Sequence, residues 1–312
     1  MTGDDGAVTA RLAAALRSSV NGDGGWGYSP GKASRLEPTC WAVLALLNSG
    51  AATDDAPPVD AALARMAAWQ RGDGLLSELP SAPPNLAFNG LAAVVIHRAR
   101  AAGSARDPAH EAMARRLLAG ILAVRGTRVR ASDIVRQDGR LTGWPWIDGT
   151  FSWLEPTAWC LLALKTSPAT RPRPAAMRID EAERLLADRC CAAGGWNYGN
   201  SNAFGRDLFP YVPTTALGLL ALRGRREPSG RPASDVVRSL AWLSGNWSRE
   251  VSLAASSLAL VAMRVHGMAA LELAQALGEL AASTQDLEQL ASTAMALYAL
   301  TGAHHEYAAF TP

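Results

Sequence analysis

An internal repeat constrains the fold of this chain more than any other feature of its sequence. Residues 25–46 read GWGYSPGKASRLEPTCWAVLAL, and residues 143–164 read GWPWIDGTFSWLEPTAWCLLAL. In both copies a Glu-Pro-Thr triplet begins eleven residues after the first Trp. A second Trp lies fifteen residues after the first Trp. Residues 195–222 carry a third copy with a longer loop, and weaker copies begin at residues 74 and 246. Repeats about fifty residues apart indicate a series of similar supersecondary units.

Each unit predicts a loop, a buried helix and then an amphipathic helix. Pro38 and Pro156 suit the first turn of a helix, where the missing N–H would have no partner. Glu37 and Glu155 just before them suit the positive end of the helix dipole. The residues that follow are almost all Ala, Leu and Trp, which is typical of a helix buried on most sides. Amphipathic partners are predicted at Val59–Arg71, His110–Val124, Arg178–Cys191, Ser234–Ser244 and Leu271–Ala282.

Buried helices that alternate with half-exposed helices predict two concentric rings around a central cavity. We therefore expect residues 1–312 to form one all-α domain, a single α/α toroid of about six helix pairs (an α6-α6 barrel), with no convincing strand. An open solenoid of stacked helix pairs is the alternative.

The balanced charge, 30 basic against 28 acidic side chains, argues against a nucleic-acid partner.

The repeat resembles the one shared by squalene and hopene cyclases and by the β-subunits of protein prenyltransferases. The resemblance rests on the Gly-Trp loop followed by a Pro-Thr-x-Trp helix, and it covers almost the whole chain. It implies the toroid fold and a site for an isoprenoid or another hydrophobic small molecule. Full-length triterpene cyclases have two such domains, and this chain has the length of one.

The motifs that carry chemistry in that superfamily are not evident here. The acid motif of proton-initiated cyclases, Asp-x-Asp-Asp, has its nearest match in residues 52–55, which lack the first Asp. A Cys-Gly-Glu-Gln thioester motif does not occur. No zinc site, other metal site or cofactor is predicted, because the His residues show no metal-ligand spacing: His97, His110, His266, His304 and His305.

Ten Trp residues against five Phe and five Tyr need either a large core or a cavity to line. The loops before the buried helices all open at one end of the toroid, which we call the mouth. Candidate substrate-binding aromatic residues there are Trp26, Tyr28, Trp144, Trp146, Phe151, Trp153, Trp196, Tyr198, Tyr211 and Trp247, with Trp41 and Trp159 one turn inside. Trp26, Trp144 and Trp196 recur in three copies and fit a framework role. Phe151 and Trp153 align with Ala33 and Arg35, so the repeat does not require them.

Acidic residues at the mouth are candidates for catalysis. Asp148 aligns with Pro30, so the framework does not require it either, and aromatic neighbours would raise its pKa and let it hold a proton. The alternative is a turn residue in an Asp-Gly dipeptide. Glu155 shares this neighbourhood, although it aligns with Glu37 and fits a helix start. Asp148 and Glu155 are therefore the predicted catalytic pair.

Amides and arginines complete the candidate site. Asn85 and Asn89 lie four residues apart on a predicted buried helix, and cavity lining and helix capping are both open for them. Arg35, Arg206 and Arg249 near the loops could bind a diphosphate. The same applies to the insertion that separates the second and third units, with Arg125, Arg128, Arg130, Arg136 and Arg140. A solvated basic loop is the alternative.

The leading hypothesis is a terpenoid cyclase-like enzyme that folds an isoprenoid in an aromatic cavity and starts the reaction with a proton. A carbohydrate-active toroid with two carboxylates is the second, and a non-catalytic toroid that binds a lipid or a peptide is the third.

The four Cys make no disulfide framework, and neither a secretory signal nor a membrane span of about 18 apolar residues is visible. We expect a cytoplasmic protein, with peripheral membrane contact left open.

Overall fold

A computed structural model describes residues 3–49, 59–104, 107–130, 132–167, 173–285, 287–302 and 307–310.

The described residues form twelve α-helices, two short strands and two 3₁₀ helices. The α-helices are α1 Gly3–Ser18, α2 Leu36–Asn48, α3 Val59–Ala68, α4 Leu86–Ala101, α5 Pro108–Ala123, α6 Leu154–Thr166, α7 Arg173–Asp188, α8 Val212–Ala221, α9 Ser234–Asn246, α10 Leu253–Val265, α11 Leu271–Ser283 and α12 Leu290–Thr301. The strands are β1 Asn202–Ala203 and β2 Arg206–Asp207, and the 3₁₀ helices are Trp247–Arg249 and Ala308–Phe310.

The even-numbered helices form a closed inner ring. α2 packs on α4, α4 on α6, α6 on α8, α8 on α10, α10 on α12, and α12 packs back on α2. The odd-numbered helices pack outside this ring, and α1 supplies the outer partner at the start of the chain. The closed ring confirms the predicted α/α toroid and excludes the open solenoid.

The residue types of the inner helices explain why these helices can pack closely against one another. Nearly every residue of α2 and α6 is buried, as expected for helices with a neighbour on each side. α4 and α6 approach each other closely at Gly90, where an added Cβ would lie 2.6 Å from the backbone carbon of Trp159. The absence of a side chain at Gly90 therefore sets the spacing of these two helices.

The two strands form a small hairpin in the long loop of the fourth unit. Asn202 pairs with Asp207 and Ala203 with Arg206, in antiparallel register. The two connecting residues, Phe204 and Gly205, both have positive φ, 51° and 72°, as a tight two-residue turn requires. The sequence predicts no convincing strand, and this local hairpin is the one departure among the described residues.

Aromatic side chains fill the centre of the toroid. The ring centroids of Trp41 and Trp159 are 5.7 Å apart, and Phe310 lies 6.1 Å from Trp159 and 5.6 Å from Tyr298. The space that these rings enclose has no room for a water molecule. The expected open cavity is therefore wrong for this part of the toroid, because the 3₁₀ helix Ala308–Phe310 packs on α4 and α6 and places the Phe310 ring among these side chains. Trp41 and Trp159 are core residues here.

No helix in the described part of the chain is both long enough and apolar enough to cross a membrane.

Candidate active site at the mouth of the toroid

Three tryptophans join the mouth loops to the outer helices. Each side chain is at most 1% exposed, which leaves no face for a substrate. Their indole N–H groups donate 2.7 Å hydrogen bonds to carbonyls near the end of the preceding outer helix: Trp26 to Leu16, Trp144 to Ile121 and Trp196 to Leu186. These residues are therefore the framework of the repeat. The prediction that Trp26, Trp144 and Trp196 bind substrate is therefore wrong, because their burial prevents contact with a ligand.

One inner-helix position anchors each of these loops. The hydroxyl oxygen of Thr157 accepts a 3.0 Å hydrogen bond from the backbone N–H of Trp144. Thr39 and Thr215 do the same for Trp26 and Trp196.

Asn89 is the equivalent residue in the second unit. Its side chain accepts from the N–H of Leu76 at 2.7 Å and donates to the Leu76 carbonyl at 3.0 Å. Asn85 caps α4 by accepting from the N–H groups of Ala87 and Phe88. Both amides therefore serve the backbone, and the capping alternative holds in place of cavity lining.

In five of the six inner helices, the first N–H donates to the loop of the following unit. The donors and acceptors are Leu36 to the Glu78 carboxylate, Leu86 to the Trp146 carbonyl, Leu154 to the Tyr198 carbonyl, Val212 to the Glu250 carboxylate and Leu290 to the Tyr28 carbonyl. The last of these joins the sixth unit to the first. The mouth is consequently surrounded by the residues at this loop position, which are Tyr28, Glu78, Trp146, Tyr198 and Glu250.

Two glutamates in the first turns of α2 and α6 form the electrostatic centre of the mouth. Burial, together with the nearby charge of Glu37, raises the pKa of Glu155 to about 7. Burial also raises the pKa of Glu37, although a 2.7 Å hydrogen bond from the Tyr28 hydroxyl favours its ionised form. The two carboxylates interact and have different partners, so they hold protons unequally.

Tyrosines lie close to both carboxylates. Burial is the main reason that the pKa of Tyr198 is raised, and the charges of Glu155 and Glu250 add to it. Burial and Glu37 raise the pKa of Tyr28 in the same way. Both hydroxyls therefore stay protonated at neutral pH and can donate hydrogen bonds.

Two aromatic pairs lie in the loops next to Glu155, one just before it in the sequence and one in the loop whose Tyr198 carbonyl accepts from the N–H of Leu154. The ring centroids of Phe151 and Trp153 are 5.7 Å apart, as are those of Tyr198 and Tyr211. Phe151, Tyr198 and Tyr211 are exposed, at 51%, 50% and 44%. Exposed rings at these angles offer apolar faces to a ligand at the mouth.

The predicted enclosure of Asp148 is wrong. Asp148 is exposed in a turn, and its carboxylate accepts from the N–H of Gly149 at 2.9 Å. The aromatic residues do not surround it because Trp144 points into the core and Trp146 packs partly against the core. Trp247 is likewise half-buried against the core.

The three candidate diphosphate arginines lie in the loops of three different units. Arg35 forms a 2.6 Å ion pair with Glu78. Arg206 lies on β2 and Arg249 in a 3₁₀ helix, and both are exposed. Their joint binding of a diphosphate stays a prediction.

In the described part of the chain, no three His, Cys, Asp or Glu side chains converge as metal ligands. The expectation that the superfamily's chemical motifs are lacking is wrong for one of them, because Asp188 to Cys190 form an Asp-x-Cys string like that of zinc-binding prenyltransferases. Asp188 pairs with Arg189, whereas the Cys190 sulfur lies 3.6 Å from the Ser239 hydroxyl. His304, His305 and the acidic string at 52–55 lie outside the described residues.

Glu78 and Glu250 are mouth residues that the sequence interpretation missed. Both come from the weaker copies of the repeat: the copy at residue 74 has no Trp in its loop, and the copy at residue 246 has Trp247 but a shorter loop before its helix. Aligning Leu76 with Trp26 places Glu78 opposite Tyr28 and would have identified it.

No family model and no curated protein matches this sequence. Solved structures do match. An alpha-1,6-mannanase, GH76A, of Salegentibacter sp. HEL1_6, in complex with alpha-1,6-mannotriose, superimposes with a TM-score of 0.65 at 11% identity, over 95% of this chain and 99% of that one. An alpha-amylase from Clostridium perfringens gives a TM-score of 0.64 at 10% identity, over 95% and 97% of the two chains.

A type II terpene cyclase, MstE, from Scytonema gives a TM-score of 0.56 at 16% identity, over 96% of this chain and 98% of that one. At these identities the likeness shows the fold alone. The chain shares the α/α toroid of glycoside-cleaving enzymes and of type II terpene cyclases.

Proposed function

We propose that this protein is a carbohydrate-active toroid that hydrolyses a glycosidic bond at its mouth. The observation that carries the proposal is the carboxylate pair, in which burial beside Glu37 raises the pKa of Glu155 to about 7. Most glycosidases use two carboxyl groups with unequal proton affinity, one as the general acid and one as the base or nucleophile.

The roles follow from the surroundings of each carboxyl group. Glu155 keeps its proton near neutral pH and donates it to the glycosidic oxygen as the bond to the anomeric carbon breaks. Glu37, with the Tyr28 hydroxyl donating to it at 2.7 Å, serves as the carboxylate that activates water or attacks the anomeric carbon. Water supplies the hydroxyl group of the new reducing end and the proton that restores Glu155.

The aromatic pairs beside Glu155 suit a sugar better than a flexible apolar chain. A pyranose ring presents C–H groups on its faces and hydroxyls at its edge. The exposed rings of Tyr198 and Tyr211 offer the apolar faces, and their hydroxyls, with that of Tyr28, offer hydrogen bonds at the edge. The mannanase and amylase structures support this class of substrate through their shared fold.

Isoprenoid cyclisation is the second candidate, and the terpene cyclase structure favours it. Its difficulty is space, because a folded polyprenyl chain needs a cavity, and the aromatic side chains described above fill the centre of the ring. A ligand of that kind would have to displace Phe310.

Release of reducing ends from a panel of polysaccharides, α-1,6-mannan, starch and xylan among them, tests the proposal. The wild-type protein should cleave at least one, and Glu155→Gln and Glu37→Gln should each lower the rate by about 10²–10⁴-fold. Asp148→Asn is the matched control, because it changes a carboxyl group at the same mouth that is exposed and serves a turn.

Full activity of Glu155→Gln on a cleaved polysaccharide would overturn the proposal. Cyclisation of an added polyprenyl substrate, with no polysaccharide cleaved, would favour the second candidate.

A further inference from the structure

The insertion between the second and third units builds a wall on one side of the mouth. The N–H of Thr127 donates to the Thr150 carbonyl at 2.9 Å, and Val129 bonds back to Gly139 within the insertion. The far end of the insertion reaches the fourth unit, where Phe204 donates to the Ile134 carbonyl at 2.7 Å. Insertion and hairpin thereby form one hydrogen-bonded structure, which we call the collar (residues 125–130, 132–142 and 202–207).

A cleft of about 50 Å³ lies where the collar meets the aromatic residues beside Glu155. Phe151 and Trp153 line one side, and Trp153 also packs close to Gly199. Gln137 and Arg189 line the cleft from the collar and from the end of α7. The cleft has room for a carboxylate or a hydroxyl group, not for a whole sugar ring.

The polar side chains of the cleft are arranged for a ligand. The Oε1 atom of Gln137 is buried and has no hydrogen-bond partner among the described residues, an arrangement that costs free energy unless another group donates to it. The Arg189 side chain is only 9% exposed, and its one ion-pair partner there is Asp188. A sugar hydroxyl could donate to Gln137.

The rim of the collar carries unneutralised positive charge. Arg125 pairs with Glu181 and Arg140 with Asp138. Four further collar arginines are exposed and form no ion pair within the described residues: Arg128, Arg130, Arg136 and Arg206. The two acids that oppose these four are Asp133 and Asp207, so the rim stays positive. Val135 pairs with Ala203, and Ala203 pairs with Arg206. Arg136, the residue after Val135, therefore lies near Arg206.

We propose that the collar binds an anionic glycan, with a charged substituent facing the arginine rim and the adjoining sugar stacked on Phe151 and Trp153. This rests on the proposed function, because the same aromatic residues flank Glu155. Carboxylate and sulfate substituents share the chemistry that the arginines recognise. The proposal therefore concerns any glycan that carries one of them.

Binding to paired polysaccharides tests this inference independently of catalysis. The protein carries Glu155→Gln, so that no ligand is cleaved, and affinity electrophoresis compares polygalacturonate with its carboxyl-reduced form and dextran sulfate with dextran. We expect at least one charged form to bind about tenfold more tightly than its neutral partner, and the difference to shrink as salt is raised.

The collar variant Arg136→Gln/Arg206→Gln should lower that affinity about fivefold or more. The control is Arg226→Gln/Arg231→Gln, which removes the same charge from the loop between α8 and α9, at the other end of the toroid, and should leave binding unchanged. Gln137→Met, which removes only the buried acceptor, should weaken binding by a smaller factor.

Equal binding of charged and neutral forms would overturn the inference, as would equal losses in the collar and control variants. Equally tight binding of duplex DNA would also overturn it, since the collar would then attract any polyanion. Polysaccharide cleavage without a charge preference would refute this inference and leave the proposed function standing. A preference for the charged polysaccharides without any polysaccharide cleavage would support this inference and refute the proposed function.

Discussion

Glu37 and Glu155 occupy the same position of the repeat, yet their protons are held differently. Tyr28 donates to Glu37, whereas no side-chain hydrogen bond from the described residues favours the ionised form of Glu155. The sequence identifies both residues as helix starts because that position follows from the repeat itself. It cannot give their burial, which depends on loops from other units, and for the same reason it places Asp148 wrongly.

Glu155→Gln should stabilise the fold in a pH-dependent way. The folded-state pKa of Glu155, about 7, lies above the ordinary 4.5, so its proton adds stability that is fully present below pH 4.5 and is lost as the pH rises through about 7. Removing the buried charge should therefore raise the free energy of unfolding at pH 8 by up to about 3 kcal/mol and change it little at pH 4.5. Urea unfolding at the two pH values measures this, and destabilisation at pH 8 would contradict it.

Glu181→Gln should behave in the opposite way. Burial favours the protonated form of Glu181, but hydrogen bonds from Thr142 and Arg125 and the charge of Arg178 outweigh it and lower its pKa. Its stabilising contribution is present above the ordinary pKa of Glu and is lost as the pH falls. The variant should lose about 2 kcal/mol of unfolding free energy at pH 8. An unchanged urea midpoint at that pH would show that the ion pairs of Glu181 with Arg125 and Arg178 do not stabilise the fold.

At the scale of helices and loops, the repeat predicts what recurs and misses what occurs once. All five amphipathic partner helices named from the sequence are present, with ends that differ by a few residues. The Trp framework is predictable because three copies share it. The collar, the hairpin and the segment Tyr307–Phe310 have no counterpart in other units, so no internal comparison could place them.

Trp144→Phe should destabilise the toroid by about 2–4 kcal/mol. The variant loses the 2.7 Å bond from the indole N–H to the Ile121 carbonyl and weakens the stacking of Arg178, whose guanidinium lies 4.0 Å from the ring centroid. Trp146→Phe is the control in the same loop, because Trp146 contributes to the mouth through its backbone carbonyl. Thermal unfolding compares them, and equal losses would contradict the framework role.

At the scale of the whole molecule, closure of the inner ring and filling of its centre decide where a ligand can bind. The number of repeats predicts closure, since about six helix pairs complete a ring. The filled centre was not predictable from periodicity, because it depends on a short segment that follows the last inner helix. The proposed binding site is therefore at the mouth, where the inner helices begin.

Phe310→Ala should lower the unfolding free energy by about 3–4 kcal/mol, because this fully buried ring packs on Trp159 and Tyr298. Phe209→Ala is the matched control, since Phe209 is 80% exposed and its truncation removes little packing. Equal stability of the two variants in urea unfolding would mean that the centre of the ring does not depend on this segment.

The most direct test of the account is the titration of Glu155 itself, followed by NMR of protein labelled with ¹³C at the glutamate carboxyl carbons. The Glu155→Gln spectrum assigns the signal. The midpoint should lie near pH 7 in the wild-type protein and should be lower in Glu37→Gln, because the neighbouring charge is then gone. A midpoint near 4.5, unaffected by Glu37→Gln, would show that the mouth holds no coupled carboxylate pair.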